Sequence, residues 1–197
     1  MSFTELQIQL DLNPDNRVNI LENVDTCRWT DDGYLFVDSK NSQCYFFNKN
    51  GQEDDISKVK HIRNWVFESC TSLTSISIPN SIESIGYLAF GNCTSLTSIK
   101  ISDSVKNIRD YAFFNCSSLT SISISDSVKS IGDEAFIYCT SLISISIPNS
   151  VESIGNWAFG NCASLKSLVF KGKTIDEVKA MPNYPWGIKD KFVIECE

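Results

Sequence analysis

Cys70, Cys93, Cys116, Cys139 and Cys162 recur at a strict 23-residue interval. Thiols in a row raise two chemistries, metal binding and disulfide formation. Zinc takes four convergent ligands, commonly grouped in CxxC-like pairs, whereas one cysteine per repeat supplies only a line. If the repeats stack as strands do, neighbouring Cα atoms lie ~4.8 Å apart, a separation that a disulfide can span. Parallel Cβ vectors, however, give that bond the wrong torsion, and five ladder cysteines cannot all pair. The ladder therefore reads as reduced, buried thiols packing as small hydrophobes. Cys27, Cys44 and Cys196 fall outside it and read as unpaired, the state expected of a reducing compartment.

Serine is abundant, but a serine nucleophile needs a histidine base held by a third group. The chain has one histidine, His61, beside Ile62, and no GxSxG elbow. The glycines of "IGNWAFGN" read as turn residues, not as a phosphate-binding loop. Asp103 and Asp126 share a column, yet two carboxylates fall short of the roughly six to eight oxygens that calcium takes. No catalytic residue, metal-ligand set or cofactor site follows, and the chain is not expected to be an enzyme.

The elements that place these residues are repeats. The columns Ile62, Ile85, Ile108, Ile131 and Ile154, Phe67, Phe90, Phe113, Phe136 and Phe159, and Leu73, Leu96, Leu119, Leu142 and Leu165 all keep the 23-residue period. A period of this size signals a solenoid, in which each unit buries its apolar face only by stacking on its neighbours. Within a unit "LTSISI" alternates apolar and polar, the pattern of a strand, with Ile76 and Ile78 inward and Ser75 and Ser77 outward. "PNS" or "SDS" then turns the chain. A second apolar pair, such as Ile82 and Ile85, precedes an "AF" pair in a short helical or turn-like segment. Five rungs at ~4.8 Å span roughly 24 Å.

The unit "CxSLxSIxIPxSVxxIGxxAFxN" resembles the BspA-like, or Treponema-pallidum-type, class of leucine-rich repeat, over about residues 60–170. The resemblance implies a leucine-rich-repeat solenoid, right-handed, with a main parallel sheet and a second, shorter one. It also implies a binding role, since family members are mostly surface proteins that bind host proteins or other cells.

The flanks divide the chain into 1–57, an acidic N-terminal β-module or cap; 58–170, the solenoid; and 171–197, a C-terminal cap. Residues 1–57 hold 4 Lys/Arg and 11 Asp/Glu, and residues 58–197 hold 13 of each, so the whole net charge of −7 sits in the first piece. There "ELQIQLDL" alternates, "NPDN" breaks it, and "GYLFVDSKNSQCYFFNKNG" reads as an antiparallel hairpin. A cap covers the open edge of a solenoid; an acidic module could equally dock onto a partner. At the other end Thr174 and Glu177 fit a capping box that starts a short helix. Pro182 and Pro185 stop it, Met181, Tyr184 and Trp186 cover the last rung, and "KFVIECE" adds a strand. The ending "MPNYPWGI" resembles C-terminal caps of related repeat proteins from bacteria and their phages.

Neither piece is basic, which disfavours nucleic acid as a partner. The start "MSFTELQIQLDL" lacks a signal peptide's basic and apolar regions, and no run reaches the ~20 apolar residues of a membrane span. The expected location is cytoplasmic or particle-associated, as in a virion, with the cell surface less favoured.

Two surfaces are candidates for binding. The outward ladder Ser75, Ser98, Ser121, Ser144 and Ser167 is flat and polar; it either meets a partner or keeps the sheet soluble. The second surface is the column before the "AF" pair: Trp65, Leu88, Tyr111, Glu134 and Trp157. Glutamate is rarely fully buried unless paired, so the column reads as near solvent, although partial burial between rungs is the competing reading. Phe114, Ile137 and Tyr138 lie close by in neighbouring copies and extend the patch. Rigidly held aromatics suit protein recognition. The candidate partner-binding residues are therefore Trp65, Leu88, Tyr111, Trp157, Phe114 and Tyr138. The expected function is a non-enzymatic protein–protein interaction module; the alternative is a structural or host-attachment component of a larger particle such as a phage virion or tail.

Overall fold

Alternation of inward isoleucine with outward serine produces one short strand per repeat, and stacking of repeats turns those strands into a sheet. The computed structural model describes residues 24–30, 33–38, 43–48, 53–54, 56–188 and 193–197. The expected strand at "ELQIQLDL" and its break at "NPDN" lie outside these, as do the side chains of Cys27 and Cys44.

The first described element is an antiparallel sheet of β1 (Val24–Thr30), β2 (Gly33–Asp38), β3 (Gln43–Asn48) and β4 (Glu53–Asp54), in that order. The expected hairpin is β2 with β3, paired from Gly33 with Asn48 to Asp38 with Gln43. A 3-10 turn (Ile56–Lys58) leads into the repeats. The narrow sheet of the solenoid comprises β5 (His61–Ile62), β7 (Ser84–Ile85), β9 (Asn107–Ile108), β11 (Ser130–Ile131) and β13 (Ser153–Ile154). The main sheet comprises β6 (Ser75–Ser77), β8 (Ser98–Lys100), β10 (Ser121–Ser123), β12 (Ser144–Ile147), β14 (Ser167–Phe170) and β15 (Val193–Cys196). Both sheets are parallel, and within the repeats each residue pairs with the one 23 positions on, as Ser75 with Ser98 and Ile85 with Ile108. Strand β3 lies against β6, the N-terminal edge of the main sheet.

Between the sheets lies the core. The five phenylalanines stack as a column, with centroids 5.1, 5.3, 5.2 and 5.7 Å apart and planes within 17° of parallel. Ile, Leu, Val and Ala columns bury the rest of the interior. On the outside, Glu83, Lys106, Lys129 and Glu152 share one 23-residue column. As that spacing predicts, Lys106 meets Glu83 at 3.9 Å and Lys129 meets Glu152 at 3.3 Å. Exposed pairs of this kind contribute only about 0.2–1 kcal/mol each, so they favour register more than stability.

The C-terminal segment closes as its sequence predicts. Thr174 caps helix α1 (Ile175–Ala180): its hydroxyl accepts from the Glu177 amide, and the Glu177 carboxylate accepts from the Thr174 amide at 2.7 Å. The Thr174 amide, and its hydroxyl at 2.9 Å, donate to the Glu177 carboxylate and hold that carboxyl below its usual range. Beyond α1, Trp186 is buried against Phe170 and Tyr184. β15 then adds to β14 in parallel.

Candidate functional site

The cysteine ladder is inert by construction. Cys70, Cys93, Cys116 and Cys139 are buried, Cys162 is partly buried, and none of the five is in a disulfide. Each of the last four donates its thiol to a carbonyl of the preceding rung: Cys93 to Phe67, Cys116 to Phe90, Cys139 to Phe113 and Cys162 to Phe136, at 3.1–3.2 Å. Burial pushes the Cys116 and Cys162 thiols up to about 12 and raises Cys139 as well. Cys93 is raised by the hydrogen bond with the Cys70 thiol and then by burial. Thiolate, the reactive and metal-binding form, is thus suppressed. Among the described residues no group of three or more His, Cys, Asp or Glu is placed to hold a metal ion.

Two results follow. A thiol reagent added to the native protein labels Cys196, which is exposed, while Cys70, Cys93, Cys116 and Cys139 react only on unfolding; fast native labelling of the ladder would contradict its burial. Stability also falls as pH rises. Unfolded thiols ionise near ~8.5 but Cys116 and Cys162 hold their protons to about 12, so between these values the unfolded chain binds fewer protons and alkali favours it. Urea midpoints measured upward from pH 8 decline, and they decline less steeply in Cys116→Ala.

The lateral edge is built differently. Trp65, Leu88, Tyr111, Glu134 and Trp157 all have left-handed backbone, with φ between 51° and 61°. A second left-handed column, Ser69, Asn92, Asn115, Tyr138 and Asn161, precedes the cysteines. Hydrogen bonds to the next rung hold both: the amides of Trp65, Tyr111 and Glu134 donate to Tyr87, Asp133 and Asn156 carbonyls at 2.8–2.9 Å, and those of Asn92 and Asn115 to Phe114 and Ile137 at 2.7 and 2.9 Å. Asparagine tolerates this conformation and fills three of the five positions in the second column. The first column holds no glycine or asparagine, although bulky residues there cost about 1–3 kcal/mol each.

Side chains of the first column leave the turn toward solvent. Trp65 is 52% exposed, Trp157 50% and Tyr138 43%, whereas Leu88, Tyr111 and Phe114 are half-buried. Ile137, expected in the patch, is instead buried at 6% exposure, its side chain lying against Gly160 of the next rung. Trp65, Tyr111, Phe114 and Tyr138 join in one ladder of rings, but only through Tyr87, which column reading did not single out. The successive centroids, Trp65–Tyr87–Tyr111–Phe114–Tyr138, are 5.5–6.0 Å apart and the planes cross at 58–86°. Trp157 stands apart, its indole over Gly160 and Gly187, and the Leu88 side chain covers Gly91. Glu134 is half-buried and paired: Tyr111 Oη donates to its Oε1 at 2.6 Å. That bond pushes the Tyr111 hydroxyl up to about 12. The exposure of this edge thus rests on the tryptophans, not on an unpaired glutamate. Beside Trp65 and Tyr87 the surface opens into a groove of about 620 Å³, lined also by His61, Arg63, Arg109 and Asp110.

Six copies of the BspA type leucine rich repeat region match residues 60–181. The chain belongs to this family. Solved structures of BspA-type and related leucine-rich-repeat proteins share its path. The T. pallidum leucine rich repeat protein is 30% identical, with a TM-score of 0.56 over 68% of this chain and 67% of that one. The pneumococcal vaccine antigen PcpA, at 21% identity and a TM-score of 0.56, shares the fold over 72% of this chain and 36% of its own. No curated protein matches the sequence. Leucine-rich-repeat proteins are generally protein-interaction modules and typically non-enzymatic scaffolds. Among the described residues no helix is long and apolar enough to cross a membrane.

Proposed function

We propose that this BspA-type solenoid is a non-enzymatic binding module that engages a protein partner through its lateral edge. One observation carries the reading: a column that must be left-handed is filled with tryptophan, leucine, tyrosine and glutamate, never with the residues that conformation favours. Strain retained on an exposed surface points to function. The solenoid supplies rigidity, so ordering Trp65, Tyr111 or Trp157 against a partner costs little entropy.

Tyr111→Ala and Trp157→Ala each weaken binding of the natural partner by about tenfold or more, as exposed aromatic anchors do. Neither lowers Tm by more than about 4 °C, since both truncations leave the core columns intact. Affinity capture from the source organism followed by calorimetric titration checks this. Variants that lose several degrees of Tm but keep their affinity would place the aromatics in the core and end the proposal. Residence in a larger particle, such as a virion, is the alternative, and light scattering addresses it directly: a chain that runs only as a multimer favours it.

A further inference from the structure

One pair of columns follows a rule with a single exception. Asn64, Asp110 and Asp133 turn a side-chain oxygen onto the next rung, where it accepts from the amides of Tyr87, Asp133 and Asn156 at 2.9, 2.9 and 2.7 Å. The residue before each of those amides is Gly86, Gly132 or Gly155, and a Cβ there would lie 2.3–2.8 Å from that same oxygen. Asparagine or aspartate in one rung therefore requires glycine in the next. The exception is Tyr87, which has no such oxygen, and the residue in the glycine position of the following rung is Arg109. Two departures from the pattern thus occur together, and the exchange forfeits a backbone-capping hydrogen bond.

Both residues open onto the groove. Tyr87 is the ring that joins Trp65 to Tyr111, at 5.7 and 5.5 Å. Arg109 is exposed, and among the described residues its guanidinium makes no hydrogen bond or ion pair. Gly86 stands between Arg63 and Arg109 in the column and adds no side chain of its own there. A free guanidinium offers a planar fork of donors that matches a carboxylate. Resting on the reading of this edge as the binding surface, we propose that Tyr87 and Arg109 form its specificity-determining subsite. The subsite takes a peptide segment of the partner in which a carboxylate neighbours an apolar side chain. The carboxylate meets Arg109, and the apolar group packs against Tyr87 and Trp65. A sugar is the poorer fit: Trp65 and Tyr87 cross at 74° and Tyr87 and Tyr111 at 60°, so neighbouring ring edges interrupt the flat faces on which sugars stack.

The test is the double variant Tyr87→Asn with Arg109→Gly, which restores the arrangement of the other rungs and should fold at least as stably as the parent. A random dodecapeptide phage library is selected on the full chain, and enriched peptides are titrated against parent and variants at low and high salt. Enriched peptides are expected to carry Asp or Glu beside an apolar residue. Their Kd should rise about tenfold or more on the double variant, and the parent's advantage should shrink with salt. Peptides without carboxylates, or an unchanged Kd, overturn the subsite. If Tyr111→Ala and Trp157→Ala weaken the peptides while the double variant does not, the edge stands and the subsite falls. Insensitivity to all three variants removes both. A parent that enriches no peptide overturns the subsite too, in favour of an anionic glycan if sialate- or uronate-bearing oligosaccharides are retained through Arg109.

Discussion

Phe113→Ala lowers stability in chemical denaturation by about 3–5 kcal/mol, the usual cost of emptying a buried phenylalanine site. Phe113 is fully buried and stacks between Phe90 and Phe136 at 5.3 and 5.2 Å. Each aromatic pair adds about 0.5–1.5 kcal/mol beyond the area it buries, and the substitution breaks both. The backbone beside the cavity is committed as well: the Phe113 amide donates to Ala135 and its carbonyl accepts the Cys139 thiol. The site therefore cannot collapse without disturbing bonds to the next rung. Rungs meet only their neighbours, so hydrogen exchange should accelerate first in the rungs of Phe90 and Phe136 and later at the ends. A loss below about 1 kcal/mol would show that this column does not carry the core.

What the sequence makes legible is whatever repeats. The 23-residue columns give the inward faces of both sheets, the stacked thiols and even the pairs Glu83–Lys106 and Lys129–Glu152, because stacking places each residue beside its counterpart. The sign of φ is not legible in this way. Trp65, Leu88 and Tyr111 show no local preference for left-handed backbone, and only the hydrogen bonds to the next rung impose it. The place of Tyr87 is hidden for a related reason. A tyrosine among Asn64, Asp110, Asp133 and Asn156 is odd in a column, but its oddity acquires meaning only once the side chains of Asn64, Asp110 and Asp133 are seen to reach across to the rung that follows. Ile137 errs in the opposite sense: it lies one residue from exposed Tyr138 and shares a column with half-buried Phe114, but Gly160 of the next rung lies against it.

The two tryptophans of the C-terminal half separate core from surface, and the buried one predicts the larger effect. Trp157 is half exposed, and its truncation leaves stability nearly unchanged. Trp186 is fully buried, its ring 5.6 Å from Phe170 and 5.3 Å from Tyr184, and its Nε1 donates to the Pro182 carbonyl at 2.8 Å. Its backbone also completes the last rung. The Phe159 amide donates to the Trp186 carbonyl at 3.1 Å, as the Phe136 amide donates to Ala158 at 2.8 Å one rung earlier. A non-repeat segment thus takes the place that the next rung's turn would hold beside Phe159. Trp186→Ala should cost about 3–5 kcal/mol, comparable to Phe113→Ala although it lies outside the regular repeats. The loss should be accompanied by faster proteolysis near Pro182–Ile188, because an uncovered end rung frays. In the parent, acrylamide should quench Trp65 and Trp157 emission readily and spare Trp186. Trp186→Ala that melts with the parent and keeps its protease resistance would mean that β15 and α1 close the solenoid without it.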